Sequence, residues 1–351
     1  MFGFTKLLSV KSLGMLALAA ALLVVPGSAK LAEAGKKQTL KFAVMVPRSP
    51  SLAVEEKRYN KRLAELTDGQ VQVRVYWGGA AGGEKDVLRK MRMGQIDGTP
   101  LSLDVLSNFV RECLVLQTPG LFNNYKQVDA VRAALTPQFD EEAYRNGFKV
   151  MVWGDIGRLR LFSKKKITKI SHFQQSRPWL YPESEMLKEF YKTIGATGVP
   201  LDIAEVYGGM QTGMIDTYWA TSALAAALQW HRTAKYVSGT GLGFISGAVV
   251  FRKESWEKLP ESGRKAMNDI VDERARKDQL EIRQTDDKIY KRLLKRGFTA
   301  TDADDRGEWW DAGKRLRQRL VGRIYTQKLV NRAEEIALKY ADKEQLKYWK
   351  K

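Results

Sequence analysis

The segment "ESWEKLPESGRKAMNDIVDERARKDQLEIRQTDDKIYKRLLKRG", residues 254–297, is where the sequence changes from mixed strands and helices to helices alone. It is highly charged and predicts a long helical region, and another charged helix closes the chain. The part before it contains short β-branched and aromatic runs that predict strands. These runs lie at 40–46, 71–77, 148–154, 158–163 and 248–253. Helical patterns separate them, at 52–66, at 84–96 and after Pro182, so the sequence predicts an α/β protein.

The first 34 residues have the order of a secretory signal peptide. Lys6 and Lys11 form a basic start, an apolar run ends at Val25, and small residues follow. We expect cleavage after Ala29 or Ala34 and export to the periplasm. A membrane anchor is the alternative, but about 14 apolar residues are short for a hydrocarbon core roughly 30 Å thick. About 317 residues would remain, a length that usually divides into two lobes.

The composition restricts the classes of partner. The formal charge is +19 and the pI is about 9.8, which raises nucleic acid as a partner. Basic residues are scattered among acidic ones, however, and no nucleic-acid motif is present, so no nucleic-acid partner is expected. The surface charge suits attraction to anionic lipid headgroups. Cys113 is the single cysteine, which rules out an internal disulfide.

The sequence lacks a recognisable catalytic or metal-binding constellation. His172 and His231 have no partners at metal-ligand spacing. The Gly-rich run at 78–86 lacks the G-K-[ST] ending of a phosphate loop. The "DADDRG" run at 302–307 lacks the closing glutamate of a calcium loop. We therefore expect no enzyme, no metal and no cofactor.

Several segments, in order along the chain, resemble the solute receptors of tripartite ATP-independent periplasmic (TRAP) transporters. They are "VYWGGAAGGEKDVLRKMRMGQIDG" (75–98), "PGLFNNYKQVDAV" (119–131), "GVPLDIAEVYGGMQTGMIDTYWATSALAAALQWHRTAKYV" (198–237) and "SWEKLPESGRKAM" (255–267). The most specific residues are Glu205, Val206, Tyr207, Gln211, Gly213 and Asp216. Together the four segments span nearly all of the chain that follows the leader.

The resemblance implies a two-lobed periplasmic binding protein with a ligand cleft between the lobes and a long lobe-spanning helix. Lobe I and the connecting helix would comprise 35–155 plus about 245–300, and lobe II would comprise 156–244. The C-terminal helices, 301–351, would pack across the lobes. The resemblance further implies that a ligand captured in the cleft is delivered to TRAP permease membrane subunits.

Three polar ligand contacts of the family are replaced in this sequence. The family's carboxylate-binding arginine aligns with Leu180 in "SRPWLYPES", unless a gap brings Arg177 into register. A second family arginine aligns with Leu159, which Arg158 and Arg160 flank, and strand alternation places those two arginines on one face. The family's asparagine is also absent, since "DTYWATSALAA" carries Tyr218, Trp219, Ala220 and Thr221 there.

An unpaired buried carboxylate is severely unfavourable, so these replacements predict an apolar or aromatic-containing ligand. The candidate ligand-binding residues are Trp77, Arg158, Arg160, Leu180, Tyr181, Tyr207, Tyr218, Trp219 and Thr221. The sequence also looks similar to a branch of the family that works with a periplasmic tetratricopeptide-repeat partner.

Two alternatives remain open. The ligand is an organic acid if Arg158 or Arg160 substitutes for the missing carboxylate contact. The chain is a periplasmic protein-interaction module without a transport role if its cleft binds a protein instead.

Overall fold

The computed structural model describes residues 37–239 and 241–349, so the predicted signal peptide lies outside the described residues. The strands are β1 Gln38–Ala43, β2 Val71–Tyr76, β3 Gly98–Ser102, β4 Phe148–Ser163, β5 Trp179–Leu180, β6 Val199–Pro200, β7 Thr217–Ala220, β8 Tyr236–Ser238, β9 Gly243–Arg252 and β10 Thr299–Thr301. The helices are α1 Pro50–Leu66, α2 Glu84–Arg92, α3 Leu103–Leu106, α4 Tyr125–Arg145, α5 Ile170–Gln174, α6 Glu185–Thr193, α7 Val206–Thr212, α8 Ser222–Ala227, α9 Lys253–Glu257, α10 Glu261–Lys295, α11 Arg306–Leu320, α12 Gln327–Leu338 and α13 Lys343–Trp349. Three 3₁₀ segments lie at Arg111–Gln117, Ile203–Glu205 and Trp230–Thr233.

The chain forms two compact units, and each is built from three separate segments. Unit 1 contains 37–101, Asp140–Gly154 and Gly247–Gln284. Unit 2 contains Ser102–Phe139, Asp155–Ser246 and 285–349. The segment 102–139 therefore groups with unit 2, whereas the sequence analysis assigned it to lobe I. The alternating strands and helices of both units agree with the predicted α/β class.

Unit 1 is built on strands in the order β4-β9-β3-β1-β2. β1 and β2 run parallel, from the Gln38–Val71 pair to the Ala43–Tyr76 pair. α1 begins at Pro50 after the side chain of Ser49 accepts a hydrogen bond from the Leu52 amide. The core of unit 1 includes Leu40, Phe42, Leu63, Val71, Val73, Phe251, Trp256 and Met267. Burying these side chains holds the helices against the sheet.

In unit 2, β4 pairs with β7 and with β8, both antiparallel, and β8 pairs with β10 in parallel. The short strands β5 and β6 form a separate parallel pair. The unit 2 core includes Phe162, Trp179, Val206, Met210, Tyr218, Trp230 and Leu293. Phe162 and Tyr218 stack with ring centroids 5.1 Å apart, and Trp230 meets Tyr218 edge-on at 5.4 Å.

The two G-x-I-D runs of the sequence have the same structural role in the two units. Gly94 and Gly213 follow α2 and α7 in the left-handed conformation, with φ of 71° and 77°. In unit 1 the Asp97 side chain accepts a 2.7 Å hydrogen bond from the Lys41 amide. In unit 2 the Asp216 side chain accepts the equivalent 2.7 Å bond from the Arg177 amide. Each aspartate thus joins its strand to the neighbouring segment.

The long helix α10 contains 35 residues, and its first part belongs to unit 1 and its last part to unit 2. It begins directly after Pro260 and ends before Gly297. Ion pairs one turn apart support it, including Lys265–Asp269 at 2.6 Å and Arg274–Asp278 at 3.0 Å. The predicted long charged helix is confirmed by this element.

The predicted strands at 148–154 and 158–163 are one continuous strand, β4. The separating residues looked like a break because Asp155 and Gly157 are weak strand formers. Gly157 has φ of 129°, and β4 continues through it. Among the described residues, no helix is both long and apolar enough to cross a membrane.

Candidate functional site

The strongest candidate for a ligand contact in unit 2 is Arg158 on β4. Its side chain is half-buried, and one terminal nitrogen donates a 3.1 Å hydrogen bond to the Asn123 carbonyl. The guanidinium carbon lies 4.9 Å from the Phe244 ring centroid and 5.9 Å from that of Tyr125. These rings belong to β9 and α4, and they hold the cation between apolar surfaces. Within the described residues, no carboxylate oxygen lies within 4.0 Å of this guanidinium.

The backbone beside Arg158 is fixed by a buried carboxylate on α10. Asp286 is fully buried and accepts hydrogen bonds from the Arg158 amide at 3.3 Å and the Ala223 amide at 2.8 Å. A Cβ atom at Gly157 would lie 2.6 Å from the Asp286 carboxyl carbon, so only glycine allows this approach. Asp286 therefore joins β4 to the start of α8 and sets the position of Arg158.

Burial changes the electrostatics of both groups. Burial raises the pKa of Asp286 to about 6, although the two amide donors and Arg160 act in the opposite direction. Burial also lowers the pKa of Arg158, and the neighbouring Arg160 cation lowers it further. When a guanidinium is partly removed from water and lies near another cation, its charged form is destabilised. An anion bound against it then stabilises that charged form strongly.

Arg160, two residues further along β4, is already committed to partners within unit 2. It is 3% exposed, and its side chain donates to the carbonyls of Ser238 and Gly239. Another terminal nitrogen lies 3.5 Å from Asp287, and the guanidinium carbon lies 3.8 Å from the centroid of the Tyr290 ring. These contacts give Arg160 a structural role in attaching α10 and β8 to β4.

The segment "SRPWLYPES" places its apolar residues in different environments. The Trp179 ring is 6% exposed, meets Trp230 edge-on at 5.2 Å and donates to the Leu201 carbonyl. Leu180 is half-buried in β5, where it pairs with Pro200. Tyr181 is also half-buried, with its ring centroid 5.9 Å from that of Trp179. Leu180 and Tyr181 thus border the unit 2 core and keep partly open surfaces.

Three predicted ligand-wall residues are instead part of the internal packing of unit 2. Tyr218 is fully buried in the aromatic stack with Phe162. Trp219 is 6% exposed and packs against Trp309 at 6.3 Å on the other face of β7. Thr221 is fully buried and caps α8 by accepting a 3.1 Å hydrogen bond from the Leu224 amide. Tyr218 and Thr221 therefore face the interior and do not supply an apolar wall. Trp219 also lines a cavity of unit 2, together with Asn123, Leu242 and Trp310.

The remaining predicted site residues lie at partly open positions. Trp77 belongs to unit 1, where its indole nitrogen donates to Glu56 at 3.2 Å. Tyr207 lies on α7 of unit 2, and its hydroxyl accepts a 3.2 Å hydrogen bond from Gln211. Arg177, the alternative arginine, is 60% exposed and lies 3.8 Å from Asp216. In unit 2, neither Tyr207 nor Arg177 contacts Arg158.

The sequence analysis missed the residues that surround Arg158. They are Asn123, Tyr125, Phe244 and Asp286. Asn123 and Tyr125 lie in the "PGLFNNYKQVDAV" segment that the resemblance had marked, which was an available signal. Asp286 lies in a charged helix that looked fully solvated, so its burial had no sequence signal.

The two histidines lie in different environments, His231 inside unit 2 and His172 at an exposed position. The buried His231 ring contacts the Ala225 carbonyl at 3.1 Å, and burial lowers its pKa. His172 lies near the Thr168 hydroxyl, at 3.4 Å. In the described part of the chain, no cluster of three or more His, Cys, Asp or Glu residues could hold a metal ion.

Comparison with known proteins gives one consistent family. Residues 43–323 match the profile of bacterial extracellular solute-binding protein, family 7. A solute-binding protein of Verminephrobacter eiseniae is 22% identical over 79% of this chain and 83% of its own length. The C4-dicarboxylate-binding periplasmic protein DctP of Vibrio cholerae is 21% identical over 78% of this chain and 82% of its own length.

A solved structure with the same fold is a Bordetella pertussis extracytoplasmic solute receptor that binds pyroglutamic acid. It superposes with a TM-score of 0.77 at 15% identity, covering 85% of this chain and 99% of that one. The likeness extends over almost the whole of that receptor and supports the two-lobed fold class that the sequence predicted.

Proposed function

The chain belongs to bacterial extracellular solute-binding protein family 7, the TRAP solute receptors, and on this premise we propose that it binds a small organic acid through Arg158. The family consists of receptors and not of enzymes. We further propose that the protein acts in the periplasm and delivers its ligand to the membrane subunits of a TRAP permease.

The observation that carries the proposal is the contrast between the two β4 arginines. Arg160 already has a carboxylate, two carbonyls and an aromatic ring around it. Arg158 has one carbonyl and two rings, and its side chain leaves donors for an anion. A planar guanidinium with free donors suits a carboxylate, which accepts two parallel hydrogen bonds from it.

The relatives support an acid more than an apolar ligand. One is named for C4-dicarboxylates, and a structural neighbour binds pyroglutamic acid. The apolar ligand expected from the sequence also depended on Tyr218, whose side chain is fully buried in the unit 2 core. Within unit 2 the proposed contacts are therefore Arg158, Leu180, Tyr181, Tyr207 and Trp219. Arg160, Tyr218 and Thr221 are left out because internal contacts hold their side chains. The tetratricopeptide-repeat partner has no further support.

The proposal is tested by ligand screening followed by substitution. The purified protein is screened by thermal shift against C4-dicarboxylates, sugar acids and cyclic amino acids, and hits are measured by calorimetry. Arg158→Ala should weaken the best acid by about 3 kcal/mol, on the order of 100-fold. Arg177→Ala removes an exposed arginine of the same unit and should leave the affinity unchanged.

Two results would contradict the proposal. One is full affinity for the acid in the Arg158→Ala variant with an unchanged melting temperature. The other is a co-purifying apolar molecule, detected by native mass spectrometry, together with no binding of any acid in the screen.

A further inference from the structure

A cluster of basic residues lies at one edge of the unit 2 sheet. Ser163, the last residue of β4, pairs with Thr217 and Tyr236, the first residues of β7 and β8, and Tyr236 pairs with Thr299 of β10. The residues just outside these strand ends therefore meet at one edge. We call the basic residues there the basic corner, and they are Lys164, Lys165, Lys166, Arg177 and Lys235.

Only two of these five cations lie near a carboxylate, and both approach the same one, that of Asp216. Its Oδ2 atom lies 3.0 Å from the Lys165 nitrogen and 3.8 Å from the Arg177 Nε. Lys164 donates to a neutral backbone carbonyl, that of Met210. Lys166 and Lys235 are exposed, and in the part of the chain that the structure describes neither has a carboxylate within 4.0 Å. The corner therefore keeps a concentrated positive charge.

The equivalent position in unit 1 shows that the fold does not need this excess. Asp97 makes there the same kind of contacts as Asp216. Its side chain accepts a hydrogen bond from the Lys41 amide, and its backbone carbonyl accepts one from the amide of Arg252, the last residue of β9, as the Asp216 carbonyl does from Lys164. Two of the cations beside Asp97 are paired, because Arg252 pairs with Glu254 at 2.6 Å and Lys253 approaches Glu257 at 3.9 Å. The same backbone arrangement thus occurs with the charge compensated.

An exposed apolar side chain stands beside the basic corner. Met214 is 53% exposed and follows Gly213, where a Cβ would lie 3.6 Å from an Arg177 guanidinium nitrogen. An exposed apolar side chain next to cationic residues is an arrangement that adsorbs to the boundary between lipid headgroups and acyl chains. Neither the packing of unit 2 nor the proposed ligand contact uses Met214, Lys166 or Lys235.

We propose that the basic corner docks onto the anionic phospholipid headgroups of a membrane. The lysine ammonium is a compact charge on a flexible side chain. A group of lysines therefore binds according to the density of negative charge on the partner surface, and needs no fixed pairing geometry. This property favours a lipid surface as the partner. An acidic protein presents carboxylates at fixed positions, and oriented arginines suit such a surface better. The function goes beyond ligand capture and does not depend on the ligand, because it keeps the receptor at the surface where a permease lies.

The experiment measures co-sedimentation of the full-length mature protein with vesicles at low and at physiological salt. One set is phosphatidylcholine alone, and the other contains about one-third phosphatidylglycerol. Lys166→Gln combined with Lys235→Gln should weaken binding to the anionic vesicles by about 25-fold, since each lysine near the surface contributes about fivefold. Lys57→Gln combined with Lys277→Gln removes the same charge from exposed positions of unit 1 and should retain most of the binding.

Three outcomes would overturn the proposal. The first is no binding to phosphatidylglycerol vesicles at low salt. The second is an equal loss in the two double variants, which would assign the effect to net charge alone. The third is capture by purified permease subunits that depends on Lys166 and Lys235 while vesicles are ignored, which would assign the corner to a protein partner. Both double variants should keep the wild-type melting temperature, which separates docking from folding.

Discussion

Asp286 is expected to make the stability of the protein depend on pH in a way that one substitution removes. The carboxylate is fully buried on α10 and receives the amides of Arg158 and Ala223. Asp286→Asn keeps the size and shape of the side chain and removes its ionisation. The amide nitrogen of asparagine cannot accept a hydrogen bond, so one backbone donor loses its partner, at a cost of about 1 kcal/mol or more.

The magnitude follows from the shift of the carboxyl pKa from 3.8 to about 6 on folding. A raised pKa means that the folded state favours the protonated form. This contribution is fully present below pH 3.8 and is lost as the pH rises through about 6. A shift of this size corresponds to about 3 kcal/mol. Wild type should therefore lose about 3 kcal/mol relative to the Asp286→Asn variant between about pH 4 and about pH 7.

Urea unfolding of both proteins at several pH values across this range, followed by tryptophan fluorescence, measures this difference. Other titrating groups cancel in the comparison, because they are common to both proteins. Glu335→Gln removes a carboxylate that is 70% exposed, and serves as the control for the loss of a surface charge. A stability difference between wild type and Asp286→Asn that stays constant across the whole pH range would refute the reasoning.

Three further predictions concern stability and are checked by the same urea titrations. Gly157→Ala should cost at least about 2 kcal/mol, because a Cβ would overlap the carboxyl of Asp286 at a φ of 129°; a neutral effect would contradict the close approach. Tyr218→Phe should lie within about 1 kcal/mol of wild type and leave acid binding intact, since the buried hydroxyl has no hydrogen-bond partner among the described residues; weaker acid binding would return Tyr218 to the site. Asp97→Ala and Asp216→Ala should each cost about 2 to 3 kcal/mol, because each leaves a backbone amide unpaired; a large effect of only one of them would show that the two motifs are not equivalent.

Local sequence patterns predicted the helices well where one apolar face of the helix packs against the core. α1 and α2 lie within two to four residues of their predicted bounds, because their apolar residues recur at helical spacing. The pattern failed between 148 and 163, where Asp155 and Gly157 suggested a break. The observed continuity depends on a carboxylate on a distant helix, and no local pattern contains that information.

Prediction of the site was limited for the same reason. Alternation along β4 places Arg158 and Arg160 on the same face, so it cannot distinguish them. Arg160 differs from Arg158 because its guanidinium contacts Asp287 and Tyr290, which lie more than 100 residues further along the chain. Tyr218 was expected at the ligand because an alignment gives the position of a residue along the chain but not the depth of its side chain.

The three-segment construction of each unit also affects how the chain folds. Unit 1 needs residues 37–101, Asp140–Gly154 and Gly247–Gln284, so the unit is incomplete until about four-fifths of the polypeptide has been made. Contacts that join such distant segments close slowly, because the loop entropy is lost before the contacts form. The packing of unit 1 can therefore be completed only after most of the chain has been synthesised.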